Sequence, residues 1–532
     1  MADLLDRIAL ARQAGRSQRA IQLCNLGLNR KPGPELERTL RLSRAAALVD
    51  HTQWARAEID YRHALEHGAD VRARVALSRC LVRQRRGVEA IAQLERALVD
   101  DSRDADAWQL LAEAFSAGER RQDAAHAAHK AWVLTPNAER LVTWVTALAA
   151  CGRHDEVIEL SEQRLADAPQ QADLWTALGV SQSALGRSDA AAEAFRRALA
   201  LEPDRVDAHC GLGMALLRQG RLREGFRHNE YRQKNAGDCR RLGVPPWAGE
   251  SLHDEHLLVW CEQGFGDTLQ FARFLPLARR LARQTTFLVA PPLVRLFKMN
   301  PSLGPIAAHH PGFGAADRQS LVMSLPHHLA VGDDISVAPV PYLFAEPDLV
   351  ELWRTRLPPG PKIALVWQGN PHYAGDPWRS MPFARYEPLL AGCEGRFTFL
   401  SLQKHFGRDQ LRTSAFGARV LDLADDIDNH GSAFADSLAI LSQVDLLITT
   451  DTSIAHLAGG AGIPTWVLLG QVADWRWGIE SECTAWYPSL RLIRQRASGD
   501  WDDVIARVLA RLFLAGNRQR AESADIGDRR FA

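Results

Sequence analysis

The chain has 532 residues, 46% hydrophobic and 24% charged, with 64 basic side chains against 64 acidic ones. That length exceeds what one hydrophobic core sustains, so about two to four domains are expected, and the charge balance argues against nucleic-acid or anionic-membrane binding by bulk electrostatics. No stretch reaches the roughly 18 apolar residues of a membrane span, the start MADLLDRIALARQ is too acidic and interrupted for a signal peptide, and the eight cysteines form no C-x-x-C pair. A cytoplasmic protein with reduced, mostly buried thiols is expected.

Residues 1–235 repeat themselves. Trp108, Leu111, Ala124, Ala131 and Pro136 recur as Trp175, Leu178, Ala191, Ala198 and Pro203, and 141–170 fits the same frame with Pro169. A small residue returns at Ala20, Ala57, Ala90, Ala124, Val157, Ala191 and Gly225, with spacings of 37, 33, 34, 33, 34 and 34. Each unit reads as two helices with apolar residues at i, i+3, i+4 and i+7, joined by a turn such as LGRSD or CGRHD. The period and the order of its residues resemble the tetratricopeptide repeat. One unit cannot bury its own apolar face, so about seven must stack into a superhelix with a concave groove. Such an array binds a peptide or protein partner, or serves as a spacer or a homodimer contact.

A proline-rich junction, LGVPPWAGE (242–250), introduces another pattern, in which short β-branched runs alternate with helices. Strands are expected at 256–260, 285–290 and 320–326, then at 362–370, 397–403, 418–424, 445–450 and 465–470, with a long helix over 268–283 and another near 432–444. This alternation predicts two parallel sheets built of βαβ units, with ligand at the C-terminal ends of the strands.

Polar residues gather at those ends. After the first strand, Gly264 and Gly266 give a bare turn and Asp267 opens a helix, as its cap or as an acid with a chemical task. The stretch lacks the third glycine of the dinucleotide fingerprint, where Leu269 stands. The loop WQGNPHYAGDPWRSMP (367–382) presents Asn370, His372, Arg379 and Ser380 before a helix near Pro382; Arg379 suits an anion, or a structural salt bridge. Ser401 and Gln403 follow the next strand. After strand 445–450, Thr450, Asp451, Thr452 and Ser453 occupy a helix cap and first turn, where unpaired N–H groups and the helix dipole favour a phosphate. Asp451 would repel a phosphate, so it is expected to cap the helix or contact ribose. His456 either donates to the bound anion or packs beneath it. No D-x-D metal motif sits at a strand end: Asp104 and Asp106 belong to a repeat, and Asp425–Asp428 read as a solvated acidic turn.

DTSIAHLAGGAGIPTWVLL, QGFGDTLQFARFLPL, VWQGNPHYAGDPWRSMP and DWRWGIES with WYPSLRLIRQ together resemble bacterial glycosyltransferases of the heptosyltransferase-like GT-B type, and more closely the tetratricopeptide–glycosyltransferase fusion proteins. The resemblance covers about 250–512. It implies repeats over 1–235, a linker at 236–252, an acceptor lobe at 253–345, a nucleotide-sugar lobe at 346–515 and a polar tail at 516–532. It implies a reaction with neither cofactor nor metal, Asp267 as catalytic base, and donor phosphates held by Thr452, Ser453 and His456 with Arg379 opposite. Arg379 stands where heptosyltransferases often carry Lys, which points away from a heptose donor and a lipopolysaccharide acceptor. Fusions of this architecture resemble protein O-glycosyltransferases, including those that modify flagellin, with the repeats recruiting the polypeptide. Two other readings stay open: a glycan or small-molecule transferase whose repeats only oligomerise it, and a non-catalytic adaptor with a degenerate nucleotide-binding domain.

Overall fold

The structure, a computed structural model, describes residues 2–68, 70–235, 243–309, 316–373, 375–429 and 431–528. Residues 236–242 of the expected linker and 529–532 of the expected tail lie outside the described residues. The chain forms two compact units, 1–182 with 200–203, and 183–199 with 204–532.

The first unit is a run of helices of 12 to 16 residues, Ala2–Gln13 through His154–Asp167. Consecutive helices pack together, and the first helices of successive pairs, Val71–Arg83, Ala105–Ala117 and Ala138–Ala150, also touch one another. The recurring small residues Ala20, Ala57, Ala90, Ala124 and Val157 are all buried. A larger side chain there would push paired helices apart. Asp70, Asp104 and Asn137 cap those same first helices by accepting from backbone N–H groups two or three residues on. Buried Asp60 accepts from Arg44 at 2.7 Å and Arg41 at 3.3 Å, which ties neighbouring helices by charge as well as by apolar contact.

The second unit holds two sheets in which every neighbouring pair is parallel. The first contains β1 (Leu252–Trp260), β2 (Ala282–Val289), β3 (Ile306–Ala308) and β4 (Arg318–Leu321), in the order β3-β2-β1-β4. The second contains β5 (Lys362–Val366), β6 (Thr398–Ser401), β7 (Val420–Asp422), β8 (Leu446–Thr450), β9 (Thr465–Leu469) and β10 (Leu490–Arg494), in the order β10-β9-β8-β5-β6-β7. In both sheets the first strand has the chain leaving in opposite directions on its two sides. A crevice opens at that switch, past the strands' C-terminal ends, between β5 and β8 in the larger sheet.

Several elements differ from the sequence reading. The long helix expected over 268–283 is Phe265–Phe271, a 3-10 turn and Leu275–Ala278, because Pro276 lacks the N–H to continue a ladder; β2 has already begun at Ala282. The strand expected at 320–326 stops at Leu321, where a 3-10 turn leads into Leu325–His328 with proline in its first turn. Strands β3 and β10 were not foreseen, and the last helix, Trp501–Asp528, runs into the stretch read as a polar tail.

The largest difference lies at the end of the repeat frame. Helices Val206–Arg218 and Leu222–Asn229 keep its spacing yet belong to the unit that holds the sheets. Leu217, Leu222 and Phe226 join the same apolar core as Leu269, Leu447 and Trp486. Phe226 meets Phe271 and Trp475 edge-on, both with ring centroids 6.0 Å away. Further along, Trp247 donates its backbone N–H to Gln319, docking the end of the proline-rich junction beside β4.

Candidate functional site

A cavity of about 1000 Å³ opens at the strand ends of both sheets. Its walls include Gly264, Gly266 and Asp267 after β1, Asn370 and Arg379 after β5, Gln403 after β6, and Asp451, Thr452, Ser453 and His456 after β8. Ten of the residues singled out from the sequence are therefore together, whereas His372, Ser401, Thr450 and Ser380 are not among those lining the cavity. Ser380 is engaged elsewhere. Its hydroxyl donates to Asp376 at 2.7 Å and accepts from the Gly369 N–H at 2.9 Å, so it staples the 367–382 loop from behind.

Three of the ten have engagements that narrow the parts open to them. Gln403 reaches the wall, but its carbonyl accepts from Trp367 and Gln368 N–H groups and its amide donates to the Gln368 and Phe406 carbonyls. That uses its full capacity, so it shapes the loop and offers no free donor to a ligand. Gly266 is bare for packing: a Cβ there would stand 3.1 Å from the His456 ring and 3.6 Å from Ser453 Cα. The two helix starts, Phe265–Phe271 and Ser453–Gly460, meet at this point. His456 lies stacked on Trp477 at 5.2 Å, its Nδ1 3.1 Å from the Tyr487 hydroxyl. Burial, reinforced by the Arg476 charge, lowers its pKa to about 3. It is a neutral imidazole, unable to meet an anion as a cation, although it can still donate one N–H.

The start of helix Ser453–Gly460 keeps the expected chemistry. Thr452 stands at the cap in extended backbone with no side chain capping the turn. Thr450 Oγ1 is buried with no hydrogen-bond partner. Uncapped N–H groups at a cavity wall are polar groups waiting for an acceptor. Arg379 approaches the same space, with Nε 3.3 Å from Asp376 and its guanidinium 4.6 Å from the centre of the Tyr373 ring.

The centre of the site is a charge network whose middle the sequence reading passed over. Arg476 donates to Asp267 and to Gln270, and at 2.9 Å to Asp474. Asp267 also accepts from the Gly264 N–H at 3.0 Å, closing its own helix start. It is thus both a cap and an ion-pair partner. Burial tends to raise the Asp474 carboxyl, but the Arg476 charge and hydrogen bonds more than offset it and leave its pKa low. Asp451 goes the other way, raised by burial and by the Asp474 charge. Asp428, expected in a solvated turn, is instead turned inward, accepting from the Asp436 N–H at 2.9 Å and from the Ser437 hydroxyl. It too lines the cavity. The rule that polar residues at strand ends matter would have found Asp474 and Arg476, since DWRW lies in the loop after β9 and begins five residues past Leu469. Nothing in the repeat pattern pointed to Cys210, Met214 and Arg218, which line the cavity from helix Val206–Arg218. Among the described residues, the His/Cys/Asp/Glu grouping close enough to share a metal is His63, Glu66 and His67, in the other unit.

The tetratricopeptide-repeat family profile matches residues 42–103 and 176–225. The chain therefore contains tetratricopeptide repeats, and the second match runs into the unit that holds the sheets. A curated relative, Protein FlbA of Caulobacter vibrioides, is 29% identical over 328 residues, 56% of this chain and 53% of the relative. The chain thus spans about half the length of the curated relative it matches. Solved structures similar to it include MamA of Desulfovibrio magneticus, 19% identical over 32% of this chain and 98% of that one, with a TM-score of 0.29. A tetratricopeptide repeat protein of Parabacteroides merdae is 12% identical over 45% of this chain and 94% of that one, with a TM-score of 0.39. No helix among the described residues is long and apolar enough to cross a membrane.

Proposed function

We propose that the second unit is a glycosyltransferase of the GT-B type, moving a sugar from a nucleotide-sugar to a hydroxyl of a protein recruited by the repeats. One observation carries this reading: the uncapped start of helix Ser453–Gly460 and the Arg379 guanidinium face one cavity at the switch of a parallel sheet. That is the chemistry a donor diphosphate requires. The donor phosphates take the N–H groups of the first turn with the Thr452 and Ser453 hydroxyls, and Arg379 supplies the opposing charge. These groups stabilise the leaving phosphate as the glycosidic bond breaks. Asp267 accepts the proton of the acceptor hydroxyl, and Arg476 on its other oxygen fixes its direction. Neutral His456 donates at most one N–H and fills the floor beneath Gly266.

The acceptor is a Ser or Thr hydroxyl of a polypeptide, with flagellin the candidate that the family resemblance implies, and the setting is cytoplasmic. No metal is required in this scheme, because the helix start and Arg379 meet the leaving charge. The test is a thermal-shift panel of UDP-, GDP-, CMP- and ADP-linked sugars on the full chain, since a ligand of the folded state raises its melting temperature. One donor class should raise it, and turnover of that donor should survive EDTA. No response to any donor would end the reading. A second reading, nucleotide binding without transfer, draws on the engagement of both Asp267 oxygens. It requires a donor that shifts melting but is never turned over.

A further inference from the structure

The last repeat turns a face toward the cavity. Cys210, Met214 and Arg218 follow one another at i, i+4 and i+8 on helix Val206–Arg218, one side of the helix, and all three line the cavity. This helix is fixed in place: it packs on the 3-10 turn Trp475–Trp477, and Phe226 from the next helix wedges among Phe271, Trp475 and Trp486.

Among the cavity's other cations, Arg379 keeps free donors beside its 3.3 Å contact to Asp376, while the rest have theirs largely spoken for. Arg476 is divided between Asp267 and Asp474, and Arg232 between Glu230 and Glu262. Lys404 donates to the Ile427 and Asp428 carbonyls and to Asn429. Arg218 forms no salt bridge among the described residues. Its Nη1 donates to the Ser183 carbonyl at 3.1 Å, while its Nε is buried with no partner. The carboxylate whose field it feels is Asp474, already bound by Arg476. A part-buried guanidinium whose Nε is buried without a partner is costly to keep unless something anionic arrives to offset its charge.

We propose that Arg218 is a binding residue for the diphosphate of the nucleotide-sugar, so that the last repeat is a wall of the donor site and not part of the acceptor-recruiting array. The proposal rests on the reading of the cavity as a nucleotide-sugar site. It assigns a donor contact to a residue that the repeat frame places in a different module.

The test uses the full chain and measures the affinities of UDP, GDP, CDP and ADP, with the matching nucleosides beside them, for the wild type, Arg218→Gln and Arg218→Lys. The diphosphate preferred by the wild type should bind Arg218→Gln about 10-fold or more weakly, as loss of a charge-assisted hydrogen bond implies. Arg218→Lys should fall between the two, because it keeps the charge and loses the fork. The matching nucleoside should bind all three proteins equally. Without ligand, Arg218→Gln should melt no lower than the wild type, since it removes a part-buried charge that no carboxylate pairs; a purely structural arginine would show the opposite. Equal diphosphate affinity in the wild type and both variants, or a lowered ligand-free melting temperature with unchanged affinity, overturns the proposal. If Arg218→Gln does not fold, Arg218→Lys binding the diphosphate as tightly as wild type overturns it instead. Failure of every diphosphate and nucleotide-sugar to bind the wild type would bring down the nucleotide-sugar reading itself, and this inference with it.

Discussion

The two units bury charge for different purposes. In the first, buried charges pair locally between helices: Asp60 with Arg41 and Arg44, Glu58 with Arg86, Arg140 with Asp106. Each pair is a bolt in a stack, and its loss loosens one joint. In the second, the charges converge on one place, where Asp267, Asp474 and Arg476 share hydrogen bonds and Asp451 lies within the same field. Spread pairs serve assembly, whereas converging ones hold a site under electrostatic tension. Where a chain concentrates its buried ions therefore says more about its chemistry than how many it has.

The comparison can be broken most severely by cutting the chain. A fragment of residues 236–532 loses Leu217, Leu222 and Phe226 from the core of the sheets and is expected not to fold cooperatively. Residues 171–532, which keep the last repeats whole, should melt in a single transition and still bind donor. Calorimetry of both fragments decides it, and a folded 236–532 would show the final repeat to be an ornament. Next in size, Asp267→Asn should lower sugar transfer by about 100-fold or more, the usual range for a lost general base. The asparagine can still accept from Gly264, so the donor-induced melting shift should remain. Unchanged turnover would remove Asp267 from the chemistry.

A smaller effect is expected in each unit's packing. Phe226→Ala should cost about 3–5 kcal/mol in denaturant unfolding of the second unit, the range for emptying a buried aromatic site. Asp60→Ala should cost the first unit about 3 kcal/mol, because Arg44 loses its carboxylate partner while Arg41 keeps only Glu37. Finer still is the pH dependence. His456 is neutral in the fold down to about pH 3, whereas in the unfolded chain it takes up a proton near pH 6.5. The unfolded state thus binds more protons in that window, so the contribution of His456 to stability is intact above about pH 6.5 and is lost as pH falls toward 3. His456→Asn should flatten the slope of stability between these limits by up to about 1.4 kcal/mol per pH unit, one proton's worth. Parallel slopes for wild type and variant would mean the imidazole is charged in the fold.

Legibility in the sequence also divides along this line. The repeats announce themselves because steric need recurs every turn of the stack: a small residue at Ala90 or Ala124 is required by the neighbouring helix and by nothing else. In the second unit most strands were readable from apolar runs, and the strand-end rule led to the loops at Gly264–Asp267 and Asp451–Ser453. What it could not reveal was who holds whom. Asp267 and Arg476 are 209 positions apart, and no local pattern links them. Gln403 looked free and proved fully bonded, and Ser380 looked exposed to ligand and proved a staple, because hydrogen-bond partners are chosen by the fold and not by the neighbourhood in sequence. Phe226 sits in the repeat frame at no special position, and only the opposing surface turns it into a core residue.

The bare contact between Gly266 and His456 has a mechanical consequence. Two helix starts, one from each sheet, touch there, with the His456 ring and the Ser453 backbone lying against Gly266. The cavity is therefore closely packed at this part of its wall, while Tyr373 and Trp378, 54% and 65% exposed, line it elsewhere. A methyl group at Gly266 would meet the His456 ring at 3.1 Å, so the ring would have to give way by a few tenths of an ångström and its stacking on Trp477 would be the first thing disturbed.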